Sequence, residues 1–313
     1  MKLNEQIKRI KRIMFLSEQD PKDDTQSHND QVKLPKKKLV NYCKDKRDLI
    51  HQVYNDAKSW WYDWLKSEQS KTNFGKDFNL TPEKTDKVFS WMERVIKSAN
   101  LWFSRAGLDS AYAETSCRTT LFCDIFLDCT REFDPDLHYS VFVHELQHAL
   151  NYSLKNGKHQ IDFSSKMNNI FNEDVNSVNE SDFTEKAKKI GLDENTIQRM
   201  LRAITFFKKN PEEKILTSDE MLSRIYATRA ILNINYPEKF TLKNLIDNVE
   251  NTNVYYILIA ILMTLKIGDD FENKIQELLD VMNSVAKNEQ PQNLEIKTEY
   301  LPSEVINKIS NIA

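Results

Sequence analysis

Val143-His144-Glu145-Leu146-Gln147-His148-Ala149-Leu150 holds two histidines four residues apart, with a glutamate directly after the first. On an α-helix, positions i and i+4 share a face, so both imidazoles can reach one metal ion while the acid between them is directed at a water beside it. The flanks favour that helix. Leu137 to Leu154 runs without Pro or Gly, Pro135 and Asp136 give it a start with Asp136 as N-cap, and Gly157 is placed to stop it. Val143, Leu146, Ala149 and Leu150 surround the motif with apolar side chains, as in a helix buried over most of its circumference. A glutamate without a partner would be expensive there, and a metal removes the expense.

Catalytic zinc takes three protein ligands and leaves a fourth position for water, so a further donor must come from elsewhere. A metzincin would continue with Gly and His where Asn151 and Leu154 stand, which excludes that class. His159 lies beyond Gly157 and would need the chain to double back. Carboxylates at Glu173, Glu180, Glu185 and Glu220 are the other route, and the helical run from Ser218 to Asn233 makes Glu220 the best placed. Arg224, one turn on, could hold Glu220 ionised and oriented. The competing reading is a capping box, Thr217-x-x-Glu220, in which the glutamate folds back onto its own helix start and touches no metal. Asp182-x-x-Glu185 reads the same way.

His144 to His148 resembles the motif of zincin-type metallopeptidases, and a glutamate from a later helix makes the resemblance gluzincin-like. Glu220 to Arg224 is similar to the Glu-x-x-x-Arg helix that follows His-Glu-x-x-His in several uncharacterised zincin-like proteins, many of them from phages. The resemblance covers those two segments and no more. It implies Zn²⁺ held by His144, His148 and Glu220, with Glu145 as general base on a metal-bound water in a metalloendopeptidase-like hydrolase acting on a peptide or protein substrate. An oxyanion donor is sought among Tyr226, Arg229, His138 and His159. The implied fold is α+β and predominantly helical, a zincin-like core with a small β-sheet before the motif helix and a helical C-terminal half.

Composition narrows the field further. The 313 residues carry 44 basic and 47 acidic side chains, a net charge of -3, and no field that would draw nucleic acid. With only 5 glycines and no P-loop or dinucleotide fingerprint, nucleotide chemistry is disfavoured. Cys117, Cys123 and Cys129 follow one another at intervals of six, which places them on one face of a single strand, unable to bridge. Together with Cys43 they read as reduced core residues. With no apolar signal-peptide region at the N-terminus, the expected setting is intracellular, in cytoplasm, host cytoplasm or a virion. Val254 to Ile267 offers about 14 mostly apolar residues where a membrane span needs about 20, so it reads as a buried helix.

Along the chain, residues 1–16 form a basic amphipathic helix suited to a docking partner, residues 17–38 a flexible linker, and residues 39–313 the main domain, divided into 39–156 and 157–313. Trp60, Trp61, Tyr62 and Trp64 near the end of a helix from Leu39 to Ser67 are read as core rather than base-stacking residues. Leu121 to Asp128 alternates as a strand, with Ala111 to Thr120 as its partner. An edge strand so placed would suit an extended substrate backbone. Helices are expected at Thr81 to Ser98, Asp182 to Ile190, Glu194 to Lys208, Ser218 to Asn233, Leu242 to Leu265 and Phe271 to Ala286, with loose chain at Pro291 to Pro302 and a last short helix at Ser303 to Ile312. The basic leader also resembles assembly-targeting peptides of proteins packaged in viral heads. That suggests a second reading, a structural or assembly protein of a phage particle that keeps a zincin fold with little or no catalysis.

Overall fold

The computed structural model of the protein describes residues 42–104, 108, 112–167, 175–210, 217–234, 239, 241–265 and 271–285. The expected leader helix, linker and last short helix lie outside them. Three helices open the described chain: α1 (Arg47–Lys66), α2 (Glu68–Asp77) and α3 (Pro82–Ser98). Ser67 lies between the first two, and its Oγ accepts from the Ser70 N–H to start α2, a helix with too few apolar positions to be seen in the hydrophobic pattern. Thr81 caps α3 with Pro82 in the first turn.

A three-stranded sheet follows, made of β1 (Asn100–Ser104), β2 (Ala113–Cys117) and β3 (Cys123–Asp128) in the order β1-β3-β2. β3 is central, parallel to β1 and antiparallel to β2, so β2 has an unpaired edge among the described residues. Alternation puts Ala113, Thr115 and Cys117 on the same face of β2, opposite Leu127, Ile125 and Cys123 of β3. That face meets the next helix, α4 (Pro135–Asn156), which carries the motif.

The second half contributes α5 (Glu180–Lys189), α6 (Glu194–Lys209), α7 (Ser218–Ile231), α8 (Leu242–Asp247), α9 (Thr252–Thr264) and α10 (Phe271–Val285), with 3₁₀ turns at Phe163–Met167 and Val175–Ser177. Two of these helices and the motif helix have long stretches with no solvent face. Val141 to Gln147 in α4, Met221 to Ala230 in α7 and Asn253 to Met263 in α9 are continuously buried. A helix apolar all round belongs in a core, and α7 packs against both α4 and α9. The tryptophans of α1 close this core from one side. Trp61 is fully buried, its ring 4.9 Å from that of Tyr226, and its indole N–H donates to the Val143 carbonyl at 3.2 Å. The chain is therefore mostly helical with one small sheet, as expected, and the Trp cluster and the apolar run of α9 are core. No helix among the described residues is long and apolar enough to cross a membrane.

Several local expectations are corrected. Asp134, not Asp136, caps α4: its carboxylate accepts the N–H groups of Asp136 and Leu137 at 2.9 and 3.1 Å, with Pro135 as the first helical residue. Gly157 does end α4, where a Cβ would stand 2.3 Å from the Ser153 carbonyl oxygen. Asn179 starts α5, so the expected Asp182 box is absent. The helix expected from Leu242 to Leu265 is two, because Asn251 accepts the Asn253 N–H and caps a fresh start.

The cysteines are not reduced. Residues 117–129 are not one strand. A turn at 118–122 folds Cys117 opposite Cys123, and these two form a disulfide across the hairpin. Cys43 pairs with Cys129 over a separation of 86 residues. No free cysteine remains. Paired cysteines give no support to a reducing compartment. Thiol titration of the denatured, unreduced protein should find none of the 4 cysteines reactive, and four reactive thiols would refute both bridges. Replacing Cys43 and Cys129 by Ser should cost about 4 kcal/mol by loop-closure entropy, read as a lowered Tm.

Candidate metal centre

Polar side chains of α4 and α7 meet inside this packing. His144 and His148 lie one turn apart on α4, their Nε2 atoms 2.9 Å from each other. From α7, Glu220 brings Oε2 to 3.4 Å from His144 Nε2 and Oε1 to 3.3 Å from His148 Nε2. One donor atom from each of the three residues falls within 4.8 Å of the others, and together they can hold a metal ion. The donor set fits. Two ring nitrogens facing at that distance cannot both carry hydrogens, and two lone pairs opposite a carboxylate is the chemistry of a divalent cation site. Thr217 does cap α7, accepting the Glu220 N–H at 3.4 Å, but the Glu220 side chain turns inward. The capping-box alternative therefore holds for the threonine and not for the glutamate.

Each ligand is held from behind. His148 Nδ1–H donates to Asp219 Oδ2 at 2.9 Å, and Asp219 Oδ1 in turn accepts from Asn151 Nδ2 at 2.7 Å. Asn151 also accepts the Ser164 N–H at 3.2 Å, which ties the 3₁₀ turn after α4 to the centre. His144 Nδ1–H donates to Asn253 Oδ1 on α9 at 3.2 Å. With Nδ1–H engaged in each ring, both imidazoles would present Nε2 as a lone pair to a bound metal. Arg224 donates from Nη2 to Glu220 Oε2 at 3.3 Å, and its guanidinium lies 4.4 Å from the Tyr256 ring centre.

Glu145, between the two histidines in sequence, has Thr115 Oγ1 of β2 at 2.7 Å from its Oε2. The electrostatics follow from burial and charge. Burial raises the Glu145 carboxyl to about 7, against the opposing pull of His148 and the Thr115 hydrogen bond. Burial lowers His144 to about 4, only partly offset by Glu220. Burial also opposes charge on His148 and Glu220, but there the partners win. Asp219 and Glu220 hold His148 well above the usual histidine range, and the two imidazoles hold Glu220 well below the carboxylate range.

The other residues singled out in the sequence go elsewhere. Tyr226 is fully buried in the tryptophan cluster, and Arg229 is buried nine residues beyond Glu220, about 13 Å along the helix axis. His138 takes a place beside Phe133 and bonds to Asp134, and His159 lies edge-on to Trp91 beyond the end of α4. Glu180 and Glu185 belong to α5, and Glu173 lies outside the described residues. Asp219, Asn253, Asn151 and Thr115 were not anticipated. Of these only Asp219 left a trace, as an acid next to the candidate ligand.

Two outcomes test the centre. In metal-free protein, the charge on His148 stabilises the fold fully below its unfolded value of 6.5 and is lost as pH rises through its raised folded value. Glu145 acts in the same sense, its contribution fading from 4.5 up to about 7. Glu220 contributes above 4.5 and loses its effect only as pH falls through its lowered value, and the contribution of His144 is lost as pH falls from 6.5 through about 4. Thermal unfolding in a chelator should thus show a lower Tm near pH 8.5 than near pH 6.5, with a smaller difference in His148→Gln. Separately, Asp219→Asn should weaken zinc binding by about 10- to 100-fold in competition with a chromophoric chelator, and equal affinity would remove Asp219 from the centre. No family model, no curated protein and no solved structure matches this chain, so what the centre does has to be argued from its own atoms.

Proposed function

We propose that the protein is a zinc-dependent metallopeptidase of zincin, gluzincin-like type, hydrolysing peptide bonds. The observation that carries this reading is the convergence of His144, His148 and Glu220 with a buried Glu145 on the same helix. His144, His148 and Glu220 would hold the ion as two neutral imidazoles and one carboxylate, a set typical of catalytic rather than structural zinc. When bound, Zn²⁺ supplies Lewis acidity toward a substrate carbonyl and makes a water acidic near neutral pH.

The chain's own residues account for the remaining steps. Glu145 takes the proton of the attacking water at a carboxylate oxygen and gives it to the leaving amine, and a carboxyl raised to about 7 is suited to both transfers near neutral pH. Asp219 and Asn253 keep the imidazoles from turning, and Arg224 keeps Glu220 ionised. The apolar walls of α4, α7 and α9 keep bulk water away and strengthen each of these interactions. Among the described residues β2 is an edge strand, and its inner face touches the motif helix at Glu145. An extended peptide backbone laid along that edge would pass beside the centre, which favours an unfolded or loop segment of a protein as substrate.

Glu145→Gln decides the matter. It should leave zinc content unchanged and reduce cleavage of fluorescein-labelled casein by about 10²- to 10⁴-fold. Zinc binding without hydrolysis by the wild type would instead leave a fold that has kept its metal and lost its chemistry.

A further inference from the structure

Thr115 has a relation to Glu145 that structural packing alone does not require. Its Oγ1 lies 2.7 Å from the Glu145 Oε2 and 2.8 Å from the carbonyl oxygen of the same residue. A threonine hydroxyl has one hydrogen to give and two lone pairs. While Glu145 is a carboxylate both neighbouring oxygens are pure acceptors, so the hydroxyl satisfies one and leaves the other. Its hydrogen then goes to the carboxylate, the stronger acceptor. A proton taken from water enters on the carboxylate oxygen that does not face Thr115, so Oε2 remains an acceptor and the Thr115 hydroxyl keeps the same hydrogen bond in both forms of the glutamate.

We propose that Thr115 is the positioning residue of the general base, holding the Glu145 side chain in one orientation both before and after it takes up the proton. The proposal rests on the peptidase reading, because only a reaction that protonates and deprotonates Glu145 in each turnover has a use for a partner of both forms. No bond of Thr115 breaks. The proton passes from water to the free carboxylate oxygen of Glu145 and on to the leaving amine, while the threonine hydrogen stays on its contact with Oε2. The strand places it well, since Thr115 shares the inner face of β2 with Ala113 and Cys117, and the pairing of Thr115 with Ile125 holds that strand against the sheet. The peptide expected along the outer edge of β2 would then be aligned by the same strand that aligns the base.

The test compares Thr115→Val, which keeps the shape and deletes the hydroxyl, with Thr115→Ser, which keeps the hydroxyl. On fluorescein-labelled casein, Val should lower kcat by about tenfold or more with KM and zinc content unchanged, and Ser should recover most of the loss. A second measurement needs neither metal nor activity. In chelator-treated protein, the Tm losses of Thr115→Val and Glu145→Ala should fail to add in the double variant, because both remove the same contact. A wild type that cleaves casein alongside an equally active Thr115→Val overturns the role of Thr115 alone. Additive Tm losses also overturn it, whatever the activity. A wild type that cleaves nothing overturns the peptidase reading, and the role with it, even where the stability coupling persists.

Discussion

The centre depends on how a carboxylate can be kept charged where the buried stretches of three helices meet. Glu220 sits where desolvation opposes its charge, and it remains an anion because two imidazoles and a guanidinium surround it. Removing any one of these partners leaves a buried charge uncompensated, which costs more than the pair itself contributes. The cluster in turn sets the relative position of the helices. The register of α7 on α4 is fixed by Glu220 reaching both histidines, and that of α9 on α4 by Asn253 meeting His144. Apolar packing alone would allow neighbouring registers at similar energy, whereas a misplaced buried ion would not.

The same arithmetic explains why the two histidines behave differently although they share a helix face. His144 is backed by a neutral amide and His148 by a carboxylate. One imidazole therefore stays neutral, and the other holds a proton until a stronger cation displaces it. Loading the centre with a divalent ion at neutral pH must release a proton from the His148 side, which makes metal affinity itself depend on pH.

What could be read in the sequence was whatever repeats with the period of a helix or, at Leu121 to Asp128, of a strand. The motif helix, the buried run of α9 and the helix bearing Glu220 all announce themselves through local spacing, and a histidine pair at i and i+4 needs no knowledge of the rest of the fold. Glu220 was legible only as one of two alternatives, because the same four residues spell a capping box and only the tertiary contact decides which way the side chain turns. Asn253 lies 109 residues from His144 and Thr115 lies 30 from Glu145, with side chains that commonly decorate helix starts and strands. Nothing local distinguishes them from the other asparagines and threonines of the chain. The cysteines misled for a related reason. An even spacing of six reads as one face of a strand until a turn, here without glycine or proline, doubles the chain back and makes neighbours of two residues that seemed out of reach.

The Cys43–Cys129 bridge has a mechanical side. Cys43 precedes α1, and Cys129 directly follows β3, a few residues ahead of the motif helix. The Tyr42 N–H also donates to the Cys129 carbonyl at 3.0 Å, so chain entering from the N-terminal side is fastened to the sheet at once. A pull exerted between the two ends of the polypeptide would run through the sulfur link and on into α4. The first three helices and all three strands would form a slack loop that carries no tension.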